Sequence, residues 1–298
     1  MISQNKCLIS ITTFQKSDAL SVLLNSLYSL GYCEGNTIVV CDDNAGKGYR
    51  VTRKGNPNHP IWGKIDDTHI WASMEEIEFD SAPEVVEEFK AKHPEVDITC
   101  IFGKKRGGVS INKNRGIKYF LDHPEFVDIL MMDDDIVFHA SGYLDLCRSS
   151  RHHHLLAYLG SPDEERGKKL ASGETGNPFF SVFPAQGEDE FVYYCTGAQE
   201  MCRYATRDAI ERVGYFDIFK HHYGFESAIY SSRINMAYGK FLDWFPVLKN
   251  SPDYFVSQSI ANNYEIKDVY ANRDQWMKRK EMVFRGIDLK IKSPGDID

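Results

Sequence analysis

Apolar and polar positions fall into blocks along the first 140 residues, and the period of each block is legible. Cys7-Leu8-Ile9-Ser10-Ile11-Thr12-Thr13-Phe14 is rich in branched and aromatic residues and predicts a β-strand. Leu20, Leu23, Leu24, Leu27 and Leu30 then recur at helical spacing. They predict a helix from Asp18 to Leu30, with Ser17 as N-cap and Gly31 as stop. Thr37-Ile38-Val39-Val40-Cys41 predicts a second strand, ended by Asp42-Asp43-Asn44. A strand that is apolar without alternation is covered on both faces, as in a parallel sheet under helices. The same reading predicts a helix over Ala82–Lys92 and a strand over Asp97–Phe102. Beyond these it predicts a helix from Gly107-Gly108 through Asn114 to Leu121, and a strand over Val127–Met132 that runs into Asp133-Asp134-Asp135.

The second half is less periodic. It predicts helices over Ser141–Arg148, Thr206–Val213 and Phe225–Ala237, strands over Phe191–Thr196 and Lys240–Leu248, and a polar loop over Glu164–Asn177. The basic tail Lys267–Lys292 ends in a helix in this reading. The class expected is α/β with a central, mostly parallel sheet. A chain of 298 residues suits one large domain or two modest ones. We read a single domain of two fused halves, 1–140 and 141–266, followed by a tail over 267–298.

With 42% hydrophobic residues, the composition excludes a disordered or collagen-like chain. The formal net charge of −8 counts against a dedicated nucleic-acid binder. That total hides a segregation of charge. Residues 45–64 hold five basic residues and no acid, with four glycines and two prolines, and read as a loop. Residues 65–97 hold eleven acids against two lysines. An anionic substrate is therefore not excluded. The seven cysteines are scattered with no CxxC pair, which predicts buried, reduced thiols in a reducing compartment. No signal-peptide pattern opens the chain and no stretch approaches the ~18 apolar residues of a membrane helix. The expected setting is cytoplasmic.

The aspartate triplet is the strongest chemical signal. Three carboxylates ending a buried apolar strand are costly unless a cation neutralises them. Strand alternation sends Asp133 and Asp135 to one side and Asp134 to the other. Carboxylates at that spacing suit a hard divalent cation with open positions for phosphate oxygens. The alternative is a solvated acidic turn. Thr12-Thr13-Phe14 and Asp42-Asp43 end neighbouring strands and are expected on the same sheet edge, where open α/β sheets bind ligands. A carboxylate there can accept from a base imide or ribose hydroxyls, and Phe14 can stack. Arg106-Gly107-Gly108 opens the helix that carries Asn114 and Arg115. The glycines allow close backbone approach, and both arginines could meet a diphosphate. The spacing is not that of a Walker A loop or a dinucleotide fingerprint. A plain helix-start turn is the alternative.

Taken together, Ile11–Phe14, Val39–Asn44, Arg106–Gly108 with Asn114-Arg115-Gly116, and Met131–Ile136 resemble the family 2 glycosyltransferases of the GT-A fold. The resemblance covers residues 7–140 and, more loosely, 190–250. It implies a nucleoside-diphosphate sugar donor, a UDP-sugar first among them, with Mn²⁺ or Mg²⁺ as cofactor. Asp42 or Asp43 would read the base, with Thr12, Thr13 and Phe14 around it. Asp133 and Asp135 would serve the metal, and the Asp133–Asp135 motif the ribose. Thr196-Gly197-Ala198 resembles the loop between donor sugar and acceptor. Tyr223-Gly224-Phe225-Glu226-Ser227 resembles the acidic pair that opens the acceptor-side helix. The family's base is usually the second acid of that pair, and Ser227 stands there. Glu226 is the remaining carboxylate and the expected catalytic base of an inverting transfer. Its alternative is an acid placed for the helix dipole. No histidine in Pro246–Asn250 supplies the third metal ligand of some relatives.

The run Arg151-His152-His153-His154 reads as a solvated or structural loop, while His221-His222 could line an acceptor site, and Trp62 and Trp71 could be sugar platforms. The acceptor expected is a hydroxyl of a saccharide or glycoconjugate. The basic stretches leave open a modified base in phage-like DNA. Two other classes compete: a haloacid-dehalogenase-like phosphatase, whose nucleophile strand Asp133–Val137 mimics, and a non-catalytic sugar-nucleotide binder.

Overall fold

The strand predicted at the N-terminus is β1 (Lys6–Thr13) in the computed structural model, followed by β2 (Thr37–Asp42), β3 (Tyr49–Gly55), β4 (Trp71–Glu78), β5 (Asp97–Phe102) and β6 (Phe126–Asp133). The structure describes residues 5–47, 49–55, 71–78, 80–157, 182–184, 190–195, 201–222, 224–240, 242–257 and 271–298. The later strands are β7 (Ile136–Phe138), β8 (His154–Ala157), β9 (Val182–Pro184), β10 (Val192–Cys195), β11 (Cys202–Thr206), β12 (Phe245–Leu248) and β13 (Phe255–Ser257). The helices are α1 (Ser17–Ser29), α2 (Ala82–Lys92), α3 (Val109–Asp122), α4 (Tyr143–Ser149), α5 (Arg207–Val213), α6 (Glu226–Ala237) and α7 (Arg273–Phe284).

One nine-stranded sheet runs in the order β5-β2-β1-β6-β11-β8-β12-β10-β9. The first four strands are all parallel. Beyond β6 the sheet is mixed: β11 lies antiparallel to β6 and β8, and β8 pairs parallel with β12. The chain order of the sheet reverses between β1 and β6, so that is the switch point where a crevice opens at the strand ends. Thr12 pairs with Asp133 there, and Thr13 with Asp42.

Alternation within β1 divides the core in two. Cys7, Ile9 and Ile11 pack with Leu20, Leu23, Leu24 and Leu27 of α1 and Val85, Val86 and Phe89 of α2. Leu8 faces the other way, to Ile117 and Phe120 of α3, Ile210 and Val213 of α5, and Tyr230 and Ile234 of α6. Ser81 caps α2 through a reciprocal box with Glu84. All seven cysteines are free thiols, six of them buried.

Gly116 marks where α3 crosses β1. A Cβ there would lie 2.1 Å from Ser10 Oγ and 3.2 Å from Ser10 Cβ. Gly116→Ala is expected to cost about 1–3 kcal/mol by overpacking. Urea unfolding should show a lower midpoint at constant slope, and an unchanged midpoint would refute the close packing.

Several expectations change. The strand expected over Lys240–Leu248 is confined to β12, the histidine run expected as a loop leads into β8, and β4 and β11 are strands where none was expected. The stretch read as a loop holds β3, which pairs antiparallel with β4. The strand carrying Arg50, Arg53 and Lys54 faces the strand carrying Glu75, Glu76 and Glu78. The glycine and proline content of the stretch concealed it. Helix α1 begins at Ser17 itself, with Lys16 as N-cap and no side-chain cap bond. The polar loop expected over Glu164–Asn177 lies outside the described residues.

His153 stacks on Tyr238 at 3.8 Å, and His154 opens β8 with 3% exposure. Burial, together with the charges of Arg203, His152 and His153, pushes the His154 imidazole well below its ordinary value. The unfolded chain takes a proton near pH 6.5 that the folded chain refuses, so stability is lost as pH falls below that value. The melting temperature should drop between pH 7.5 and 5.5, and His154→Leu should flatten that drop by about one proton's worth of slope, up to about 1.4 kcal/mol per pH unit.

Candidate functional site

The carboxyl ends of β1, β2 and β6 gather the predicted residues at one edge. Thr12 and Thr13 are buried, and Phe14 is half-buried. The Asp43 N–H donates to the Thr13 carbonyl at 2.9 Å. Asp43 itself accepts from the Gly107 N–H at 2.8 Å and the Gly108 N–H at 2.9 Å, one on each oxygen. Asp42 accepts from the Asn44 and Gly46 N–H groups, both at 2.9 Å. Burial raises both carboxyls, while these amide bonds and the neighbouring Arg115 pull them back. Both acids therefore shape the loops that frame the edge, and each oxygen is engaged with backbone.

The glycine pair behaves as its geometry requires. Gly108 has φ of 87°, and a Cβ there would lie 2.8 Å from His222 Cα. The Val109 N–H donates to the His222 carbonyl at 2.9 Å, which seats this loop against the chain entering α6. Arg106 lies over the Phe14 ring at 4.0 Å and beside Asp43 at 3.7 Å, with its side chain 45% exposed.

Asn114 and Arg115 have a different task from diphosphate contact. Asn114 is fully buried and exchanges hydrogen bonds with the Phe216 backbone, while its amide also reaches the Pro294 carbonyl. Arg115 donates to the Ile297 carbonyl, the Asp42 carbonyl and Asn112 Oδ1. Both fasten the C-terminal tail behind α3. That role was invisible in sequence because the partners lie about 180 residues away.

The triplet departs from strand alternation. Strand β6 ends at Asp133, and Asp134-Asp135 form a turn. Both turn residues consequently face one cation, Lys16. Its Nζ lies 2.8 Å from Asp135 Oδ2 and 3.9 Å from Asp134 Oδ1. Burial works to lower the Lys16 ammonium, but Asp134 and Asp135, with Asp133 beyond them, outweigh it and hold it above the ordinary lysine value. Desolvation pushes the Asp134 carboxyl up to about 7 against the pull of Lys16, and the Thr13 hydroxyl and Phe14 N–H bond to it. Sequence reasoning missed Lys16; nothing in its neighbours marks it.

Asp133 and Asp135 are the groups that could hold a divalent cation. Asp135 Oδ1 is buried with no hydrogen-bond partner among the described residues, which suits a cation. Among the described residues, no three His, Cys, Asp or Glu side chains converge on a point suited to a metal. Phosphate oxygens and water would have to complete the shell, as is usual for Mg²⁺-type sites.

Glu226 opens α6 with 5% exposure. The Gly224 N–H donates to its Oε2 at 2.9 Å, and the Ser227 hydroxyl to Oε1 at 3.4 Å. Lys113 of α3 reaches Ser227 Oγ at 3.3 Å. Phe225, the N-cap, has φ of 67°, a left-handed conformation that is strained for a bulky residue. Its ring stacks on Trp276 of α7 at 4.7 Å, which supports the strained turn. The tail helix thus helps place Glu226, a link no local pattern signalled. Of the other candidates, the His221 backbone is held by Asn272. Gly197, Trp62 and the Trp71 side chain lie outside the described residues.

No family model matches the chain, and no curated protein does. Solved structures do. The mannosyltransferase PcManGT from Pyrobaculum calidifontis, in complex with GDP-Man and Mn²⁺, aligns over 94% of this chain and 64% of its own, with TM-score 0.54 and 13% identity. TarS of S. aureus aligns over 94% and 42%, with TM-score 0.53 and 13% identity. GalNAc-T7 with UDP, GalNAc and Mn²⁺ aligns over 93% and 48%, with TM-score 0.56 and 10% identity. The chain spans less than two thirds of the length of each of these structures. No helix among the described residues is long and apolar enough to cross a membrane. Identities this low speak for architecture alone, and the architecture they share with this chain is the GT-A glycosyltransferase fold.

Proposed function

We propose that this protein is a metal-dependent, inverting glycosyltransferase of the family 2 type. It would move a sugar from a nucleoside-diphosphate sugar to a hydroxyl acceptor. The observation that carries the reading is the Asp133–Asp135 cluster at the switch point of a GT-A fold, with a buried Asp135 oxygen that has no hydrogen-bond partner among the described residues. Sharing this fold with sugar transferases favours transfer over phosphatase chemistry at the same strand.

The edge residues divide the work. The Phe14–Arg106 stack would take the base, and Thr12, Thr13 and Asp134 would line the ribose and diphosphate. Asp133 and Asp135 would hold Mn²⁺ or Mg²⁺, which stabilises negative charge on the departing diphosphate. Glu226 would take the proton of the acceptor hydroxyl as its oxygen bonds the anomeric carbon and the carbon–phosphate-oxygen bond breaks. Direct displacement inverts that carbon. The pinned Gly224 turn holds the carboxylate before the acceptor arrives, which is the preorganisation a general base needs. The acceptor proposed is a saccharide or glycoconjugate hydroxyl, and modified DNA is the second candidate. Acceptor binding that weakens steeply with salt would favour DNA.

The test is a screen of UDP- and GDP-sugars for nucleoside-diphosphate release with Mn²⁺ or Mg²⁺. Metal-dependent release from one donor is expected. Absence of both binding and release across the set would sink the reading, and binding without release to any acceptor would make the protein a sugar-nucleotide binder.

A further inference from the structure

Lys16 follows β1 and occupies the N-cap of α1, yet its side chain serves the far side of the crevice. Its ammonium lies 2.8 Å from Asp135 Oδ2 and 3.9 Å from Asp134 Oδ1, with its side chain 11% exposed. Two buried carboxylates, Asp134 and Asp135, need a neighbouring positive charge to remain ionised. Lys16 places one positive charge beside both of them. Asp135 is left with Oδ1 buried and without a hydrogen-bond partner among the described residues. The arrangement suits an ammonium as it stands, since no three donor side chains among the described residues converge on a metal position.

We propose that Lys16 is the resident counter-cation of this cluster and competes with the divalent metal for it. The inference rests on the reading of Asp133–Asp135 as the metal–diphosphate site. A metal arriving alone meets an ammonium already paired with Asp135. A metal arriving with a diphosphate brings negative oxygens to which Lys16 can transfer. The four-carbon stem allows that swing without moving α1. Metal and nucleotide then favour each other reciprocally, as linkage demands. Lys16 is a positioning residue that ties metal entry to donor entry.

The test titrates Mn²⁺ alone, UDP alone and the two together by calorimetry and by the electron paramagnetic resonance of free Mn²⁺. Wild type should bind Mn²⁺ alone weakly and at least tenfold more tightly with UDP. Lys16→Met should bind Mn²⁺ alone at least tenfold more tightly than wild type and lose most of the UDP coupling. Its melting temperature should fall without metal and recover when Mn²⁺ is added, which separates charge repulsion from misfolding. Lys16→Arg should keep the wild-type behaviour. Equal or weaker Mn²⁺ binding by Lys16→Met, with UDP–Mn²⁺ binding intact in wild type, overturns the role of Lys16 alone. Failure of wild type to bind UDP and Mn²⁺ together overturns the site reading as well.

Discussion

Replacing Glu226 by glutamine should remove sugar transfer while leaving donor binding in place. The substitution keeps the shape of a side chain that is 5% exposed. The amide oxygen can still accept from the Gly224 N–H, so the strained Phe225 turn survives. What disappears is the ability to accept a proton. Loss of a positioned general base costs about 10²–10⁴-fold in rate. The expected result is a fall in kcat of that order with little change in donor Kd, measured by coupled UDP release and by calorimetry. Full activity in Glu226→Gln would assign the base elsewhere. Ser227→Ala tests the same site from the other side. Its hydroxyl stands between Lys113 and Glu226, and its loss should lower kcat far less than loss of the carboxylate.

Asp135→Asn should abolish the metal dependence of the reaction together with most of its rate. The carboxylate is buried and bonded to Lys16 through Oδ2 alone. Asparagine keeps a polar group for Lys16 but removes the charge a divalent cation requires. Losing one such electrostatic contact to a developing charge costs about 10²–10³-fold. Saturating Mn²⁺ should not restore the rate. The fold should persist, because Asp134 and Asp133 remain near the ammonium. Assays across Mn²⁺ concentrations would show this, and an unaltered Mn²⁺ response would move the metal away from Asp135.

The parts of the molecule that were legible early share a cause. β1, β2 and β6 are buried strands, and a buried strand must be apolar along its own length. The same holds for the leucine face of α1 and the valines and Phe89 of α2. Aspartates that end such strands stand out against their background, so the Asp133–Asp135 edge was visible too. β3 was hidden because its cross-strand partner β4 begins sixteen residues after it ends, so the pairing leaves no local signal.

Function-bearing detail followed the same division. Thr12, Thr13, Asp42, Asp43 and Asp133 were placed on one edge by local pattern and parallel order alone. That Asp42 and Asp43 spend their oxygens on loop amides was settled by turns whose partners include Gly107 and Gly108, 64 and 65 residues away from Asp43. That Asn114 and Arg115 hold the tail, that Trp276 supports Phe225, and that Lys16 sits on Asp135 are facts about residues distant in the chain. The amino-acid sequence determined the buried strands and helices of the first half, the sheet edge and its excess of negative charge, because each follows from burial and period within a few residues. The tertiary structure decided which carboxylates are occupied and by what, because burial leaves a charge only the partners that folding brings to it.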